Sequence, residues 1–283
     1  MEYNHFDFKF VDCHTHFFPP KIFKAIWDFF EMKDEDGIVQ GWYIHYKLSP
    51  KELVQLLTNQ NVEYFTTLNY AHKKGVANYI NQWTKEFCGK HPHALPFGCI
   101  WAEDENLYDY VYKYIVENDF LGIKIQPLVQ KFYLNNQKLD KIYRLLIDQG
   151  KWLSVHIGTA PYRNKYVGYK IFIDFIQKYP NMKVIVAHMG AFEYKKFFSL
   201  LDKYEHVYLD TAMIFIPNNI FPERKSRQPN RDQLISFQDR ILFGSDFPNI
   251  PYEYNQSTKG LLKMNFQKDF YKKIFYENAK KLF

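Results

Sequence analysis

Two histidines, His14 and His16, stand two residues apart in the stretch "FKFVDCHTHFFPP", directly after a short apolar run. If that run is a β-strand, alternate side chains share a face, and Asp12, His14 and His16 point one way. Two imidazoles and a carboxylate on one face suit a cation or a proton-transfer site better than a core. Further along, the same kind of residue recurs at the ends of other apolar runs: Lys124 in "GIKIQP", His156 in "SVHIG", His188 in "VAHMG" and Asp246 in "FGSDFP". One such histidine would be an ordinary core residue. Four histidines and an aspartate at corresponding places are costly to bury unless a divalent cation binds them together. Imidazoles with one carboxylate suit Zn²⁺, with Mn²⁺ as the alternative ion. Such an ion can hold a water whose pKa falls to about 7, giving a nucleophile near neutral pH. Asp246 can bind the ion and accept the water's proton. His188 can donate to a substrate oxygen or complete the ligand set.

These residues need a scaffold that brings strand ends together. Eight strand candidates are legible, at 9–16, 62–70, 95–101, 121–127, 152–158, 183–190, 207–213 and 240–248. Most are rich in Val, Ile, Phe or Tyr and stop at Gly, Pro or polar residues. Amphipathic helical patterns lie between them. "SPKELVQLL" offers Ser49 as N-cap, Pro50 at the first helical position and Glu52 three after the cap, which is a capping box. "KLDKIYRLLIDQG" carries one apolar stripe and ends at Gly150, a helix-stop glycine. Eight β-α units predict a single-domain TIM-type (β/α)8 barrel over residues 1–283, with the site at the C-terminal ends of the strands. A doubly wound open sheet is the alternative, but no GxGxxG follows the first strand. Two segments fall outside the repeat. One is 32–48, inserted before the second strand. The other is 214–232, rich in Pro, Asn and Arg, which reads as a loop over the barrel mouth.

Composition narrows the function classes. The chain has 283 residues, 47% hydrophobic, with 27 Phe and 23 Tyr, enough for a sizeable core. The net charge of +6 is scattered over helix surfaces with no basic block, which argues against a nucleic-acid partner. No apolar run is long enough for a membrane span, and "MEYNHFDFKF" does not resemble a signal peptide. Cys13, Cys88 and Cys99 form no CxxC and cannot all pair, as expected of a reducing, cytoplasmic setting. The expected partner is a small-molecule substrate, and the aromatic-rich surface stretches are compatible with a homodimer.

The ordered set "VDCHTHFFP", "GIKIQP", "VHIGTAP", "VIVAHMG", "VYLDTA", "ILFGSDFP" and "YENAKKLF" resembles the amidohydrolase superfamily. Its nearest branch by these motifs is the amidohydrolase-related (amidohydrolase 2) proteins, which include aminocarboxymuconate-semialdehyde decarboxylase and its relatives. The resemblance covers nearly the whole chain. It implies a metal held by His14, His16, His156 and Asp246, with His188 beside it; the positions of Asp246 and His188 at strand ends facing one cavity make them the expected catalytic pair. It leaves Lys124 with two readings, a cation for a substrate carboxylate or for Asp246, or a carboxylated bridge between two metals. Arg163, in the loop after the fifth strand, reads equally as a surface arginine and as an anion clamp for the substrate.

The expected function is metal-dependent hydrolysis of a C–N or C–O bond in a small acid, amide or lactone. The alternative is non-oxidative decarboxylation of an aromatic or unsaturated acid by the same residues. Two further readings are weaker. Metal-dependent deoxyribonucleases also open on an HxH strand but need a fourth-strand glutamate that "GIKIQP" lacks. A non-catalytic binding barrel would be expected to have lost ligands, and none of the five is missing.

Overall fold

The computed structural model describes residues 3–32, 42–161, 163–216 and 228–283. Eight strands follow one another in the sheet in chain order. They are β1 (Phe10–Asp12), β2 (Val62–Thr67), β3 (Ala94–Cys99), β4 (Gly122–Ile125), β5 (Trp152–Val155), β6 (Lys183–Val186), β7 (Val207–Asp210) and β8 (Ile241–Leu242). Every neighbouring pair from β1–β2 to β7–β8 is parallel. The barrel closes between its first and last strands. Cys13 N donates to Phe243 O at 2.8 Å, Asp246 N to His14 O at 2.8 Å and His16 N to Phe247 O at 2.7 Å, and Thr15 bridges Phe247. This is the (β/α)8 barrel that the eight β-α units predict.

The chemistry of each segment explains its place. The helix Pro50–Asn59 opens on the Ser49–Glu52 capping box, with Pro50 in its first turn. The helix Asp140–Asp148 stops just before Gly150, whose φ of +63° is cheap only for glycine. Inside the barrel, Val11, Cys13, Phe97, Trp152, Ile185 and Leu242 form a compact layer. The C-terminal Phe283 plugs its lower end against Phe97 and Trp152. A larger apolar shell joins the outer strand faces to the surrounding helices.

The strands are shorter than the sequence suggests, and the difference falls on the functional residues. β1 ends at Asp12, β5 at Val155, β6 at Val186 and β8 at Leu242, so His14, His16, His156, His188 and Asp246 all lie beyond the ladder. The expectation that Asp12, His14 and His16 share a face fails at its first member. Val11 and Cys13 point into the barrel, and Asp12 points away to Ser245 and Tyr254. Past Asp12 the chain leaves the pleat, and both histidines reach the barrel mouth. Much of the inserted segment (33–41) and of the mouth loop (217–227) lies outside the described residues. The end of the latter opens a helix, Arg231–Ser236, capped by Asn230. No helix among the described residues is long and apolar enough to cross a membrane.

Candidate functional site

His14 is fully enclosed at the top of the barrel. Its Nδ1 lies 2.9 Å from Asp210 Oδ2, its Nε2 3.4 Å from Asp246 Oδ1, and Lys124 Nζ approaches that Nε2 at 3.5 Å. His16 Nε2 is 2.8 Å from Asp246 Oδ1, while its Nδ1 meets the Leu68 carbonyl at 2.6 Å. His188 Nδ1 meets the Ala212 carbonyl at 2.9 Å, and its Nε2 is 4.0 Å from Asp246 Oδ2. His156 packs edge-on to His188 with ring centroids 4.7 Å apart, and its Nε2 meets the Ala160 carbonyl at 2.8 Å.

These contacts fix the protons. A carbonyl or carboxylate oxygen only accepts, so the nitrogen facing it carries the hydrogen. His14, His16 and His188 therefore donate from Nδ1, and His156 donates from Nε2. His14 and His188 keep a lone pair on Nε2 and His156 keeps one on Nδ1, whereas His16 faces an oxygen from each nitrogen, with Asp246 Oδ1 2.8 Å from its Nε2. Three of the groups converge: one ligand atom each from His14, His188 and Asp246 lies within 4.8 Å of the others. His16 reaches the cluster through Asp246.

Burial favours the neutral form of three of the rings. It lowers His156 to about 3 and His188 to about 4, and it lowers His14 too, with the Lys124 ammonium adding to the effect. Burial alone would raise the carboxylates. The histidines around Asp246 nevertheless hold it well below the usual carboxylate range, and His14 helps hold Asp210 at about 2. Lys124 is completely enclosed, and desolvation lowers it to about 8 against the pull of Asp210 and Asp246. Two carboxylates against one ammonium leave the cluster net negative and lined with lone pairs.

A divalent cation fits that donor set. His16 Nε2 and Asp246 Oδ1 lie 2.8 Å apart in hydrogen-bond contact, and a cation that took both as ligands would displace the proton between them. His14, His16, His188 and Asp246 could hold such an ion, and the acceptors behind the rings supply the outer support that metal-binding histidines need. His156 stands at the edge of this group, with Nδ1 as its free nitrogen.

The backbone is bent to make the cluster. His188 and Asp246 have φ of +54° and +69°, in the left-handed region. A non-glycine residue there costs on the order of 1 kcal/mol, and such costs gather at functional sites. Gly244 permits the close packing beneath, since a Cβ there would fall 2.7 Å from His14 Cβ.

The remaining candidates separate. Lys124 reaches His14 and Ser154 Oγ, 3.5 Å from each, and has no exposed surface to offer a substrate. Arg163 is exposed on its loop. Asp210 was not among the residues singled out from sequence. Its Oδ1 accepts from His188 N at 2.9 Å and Ala212 N at 3.1 Å, in addition to the His14 contact. Its signal was the one used for the others, an ionisable residue at a strand end.

A family model described as amidohydrolase matches residues 11–283. Among curated proteins, none matches the sequence significantly. Solved structures do resemble the chain. An amidohydrolase II is 20% identical, with 97% of this chain and 99% of that one covered and a TM-score of 0.72. A probable 2-pyrone-4,6-dicarboxylic acid hydrolase from Acinetobacter baumannii, with citric acid bound, is 14% identical, with 97% and 99% covered and a TM-score of 0.65. A 5-carboxyvanillate decarboxylase from Novosphingobium aromaticivorans, complexed with manganese and 4-hydroxy-3-methoxy-5-nitrobenzoic acid, is 16% identical, with 97% and 96% covered and a TM-score of 0.64. At these identities the likeness establishes the fold alone.

Proposed function

The chain belongs to the amidohydrolase family, and we propose that it is a metal-dependent hydrolase that opens a C–N or C–O bond of a small organic acid, amide or lactone. The observation that carries the reading is the convergence of His14, His188 and Asp246, whose ligand atoms lie within 4.8 Å of one another, with His16 joined to Asp246 at 2.8 Å. The reading takes residues 1–283 as one catalytic domain. A divalent ion, Zn²⁺ by the histidine-rich donor set and Mn²⁺ as the alternative, supplies Lewis acidity and makes water ionisable near neutral pH.

The chain's own groups do the rest. His14 and His16 hold the ion from the β1 side, each with its proton turned away. Asp246 Oδ1 faces His16 and Oδ2 is directed toward His188, so this carboxylate can bind through one oxygen and take a proton on the other. Of the two roles open to His188, its geometry supports the lone-pair role, because the Nδ1 hydrogen is committed to Ala212 and Nε2 carries none at neutral pH. His156 lines the adjoining wall. The Tyr70 ring stands edge-on to His16 at 5.6 Å and supplies an aromatic edge beside the site.

Decarboxylation stands as the second reading, supported by the likeness to a decarboxylase that binds manganese and an aromatic acid. It needs a cation at the substrate carboxylate. Lys124 is enclosed behind His14, which leaves Arg163 for that role and favours hydrolysis. The test is to measure metal content and then assay lactones, amides and aromatic acids for both hydrolysis and CO₂ release. Hydrolysis of at least one class, lost on chelation and restored by Zn²⁺ or Mn²⁺, is expected. Metal-dependent CO₂ release without hydrolysis selects the second reading, and absence of bound divalent metal rejects both.

A further inference from the structure

We propose that Asp210 is a positioning residue that sets the tautomer of His14 and, through its other oxygen, anchors the backbone at His188. The inference rests on the metal-centre reading above and deepens it. Asp210 ends β7 and is fully enclosed, so it acts through other residues and not on a substrate. Three N–H groups surround its carboxylate: His14 Nδ1 at 2.9 Å on Oδ2, and His188 N at 2.9 Å and Ala212 N at 3.1 Å on Oδ1. All three are donors, so only a group that accepts at both ends satisfies them. The contacts tie β7 to the residues that follow β1 and β6, and so join two arms of the cluster.

Two independent features agree. Lys124 Nζ approaches His14 Nε2 at 3.5 Å, and an ammonium can only donate, which needs the lone pair on Nε2 and hence the hydrogen on Nδ1. Gly244 leaves the space in which His14 and Asp210 meet, since a Cβ there would lie 2.7 Å from His14 Cβ and 3.4 Å from Asp210 Cγ. At the other end, the main chain of His188 has φ of +54°, a conformation that external hydrogen bonds must hold.

Asp210→Asn separates positioning from mere structure. An asparagine keeps the shape but replaces one acceptor oxygen with an NH₂ group. Its oxygen stays with the two backbone N–H groups, because the flipped amide would oppose two donors instead of one. The NH₂ then faces His14 Nδ1, which must become an acceptor. The ring hydrogen moves to Nε2, the nitrogen needed for a metal. Loss of the same kind of tautomer control in a serine protease triad is known to cripple an otherwise intact site.

The experiment reads the tautomer directly. Long-range ¹H–¹⁵N spectra of histidine-labelled protein, stripped of metal and with His14 identified by a His14→Gln variant, report which nitrogen is protonated. Competition with a chelator gives the Zn²⁺ affinity of the same samples. In the wild type, His14 is expected to be protonated on Nδ1. In Asp210→Asn it is expected on Nε2, with Zn²⁺ affinity lower by about 10–100-fold. His16 and His156, held by the Leu68 and Ala160 carbonyls, are expected to keep their tautomers. Asp210→Glu, which restores a carboxylate, is expected to recover the Nδ1 hydrogen. A wild-type spectrum with His14 protonated on Nε2 overturns the inference, and it does so even if the variant fails to fold. Unchanged tautomer and affinity in Asp210→Asn overturn it too. Wild-type protein that binds no Zn²⁺ but shows the tautomer switch rejects the metal-centre reading and leaves Asp210's control of His14 standing.

Discussion

Asp246→Asn is expected to make the metal-free protein less stable and the enzyme far less active. In the wild type, His16 Nε2 meets Asp246 Oδ1 at 2.8 Å, and this hydrogen bond helps hold the carboxylate low. An asparagine keeps the shape but not the charge, and a hydrogen bond to a charged group exceeds a neutral one by about 1 kcal/mol. The backbone adds nothing to the loss, because Asn tolerates the left-handed φ of +69° as well as Asp does. The bond from the residue 246 N–H to His14 O, 2.8 Å long, is untouched. Lys124 also gives up one of its two carboxylate neighbours. The balance is a melting temperature lower by on the order of 2–4 °C in chelator.

Metal widens the difference. At a free concentration about 100 times its Kd, a bound ion adds roughly 2.7 kcal/mol to the wild type. A variant binding 10–100-fold more weakly forfeits about 1.3–2.3 kcal/mol of that. The gap between the melting curves of the two proteins should therefore widen across a Zn²⁺ titration, with the wild type ahead in chelator and further ahead in metal. Turnover should fall by about 10²–10⁴-fold with loss of the proton acceptor. If the variant melts above the wild type in chelator, His16 and Asp246 share no proton in the wild type, and the hydrogen-bond argument is wrong. Near-normal turnover would make Asp246 a ligand without a proton-transfer role.

Lys124→Met removes the cation beside His14 Nε2 and leaves Asp210 and Asp246 uncompensated, so metal-free stability should drop by about 3–5 kcal/mol in urea while Zn²⁺ binds more tightly. Weaker binding would instead point to a lysine that takes part in holding metal. Gly244→Ala drives a Cβ to 2.7 Å from that of His14, and should cost about 1–3 kcal/mol by urea unfolding together with a measurable loss of Zn²⁺ affinity. His5 lies far from the metal residues in the fold, against Gln60 and Thr258, and burial lowers it from 6.5 to about 4 despite the Gln60 carbonyl. Its neutral form is favoured in the folded state, so its contribution is complete above pH 6.5 and is lost as pH falls toward 4. That amounts to at most about 3 kcal/mol, and urea midpoints of His5→Gln should show a shallower decline across that window.

The eight strands were legible because parallel barrel strands are apolar on both faces and stop abruptly. "KVIVAHMG" and "RILFGSDFP" announce themselves in this way. Their ends were not legible. A period-two reading assumes extended chain, and nothing in the letters of His188 or Asp246 signals a left-handed φ. The same assumption placed Asp12 beside His14, whereas Asp12 serves the outer face. Four N–H and O–H groups from His14, Ser245 and Tyr254 hold its carboxylate there, and burial still pushes it up to about 7. Arg163 was undecidable between surface and clamp because its loop carries no periodicity. Asp210 in "VYLDTA" carries the same signal, an ionisable residue at a strand end, but its side chain meets a histidine's Nδ1 and two backbone N–H groups, partners that no sequence pattern marks.

Asp210 shows where the site's chemistry is encoded. Four histidines can be counted in a sequence, but which nitrogen of each is free depends on an acceptor that lies 196 residues away for His14, 52 for His16, 4 for His156 and 24 for His188. For the last three the acceptor is a main-chain carbonyl. Any side chain at Leu68, Ala160 or Ala212 that preserved the local backbone would leave those carbonyls in place, so the identity of those residues carries no information about the tautomers they fix. His14 differs. Its acceptor is a side chain, and a single nitrogen-for-oxygen exchange at Asp210 reverses its polarity while leaving the fold's outline intact. Control of three rings is thus a property of the barrel's backbone, and control of the fourth is a property of one residue. Of the four, only His14 has its lone pair against both Lys124 and Asp246, so the tautomer most open to mutation is also the one on which the cluster's charge pattern depends.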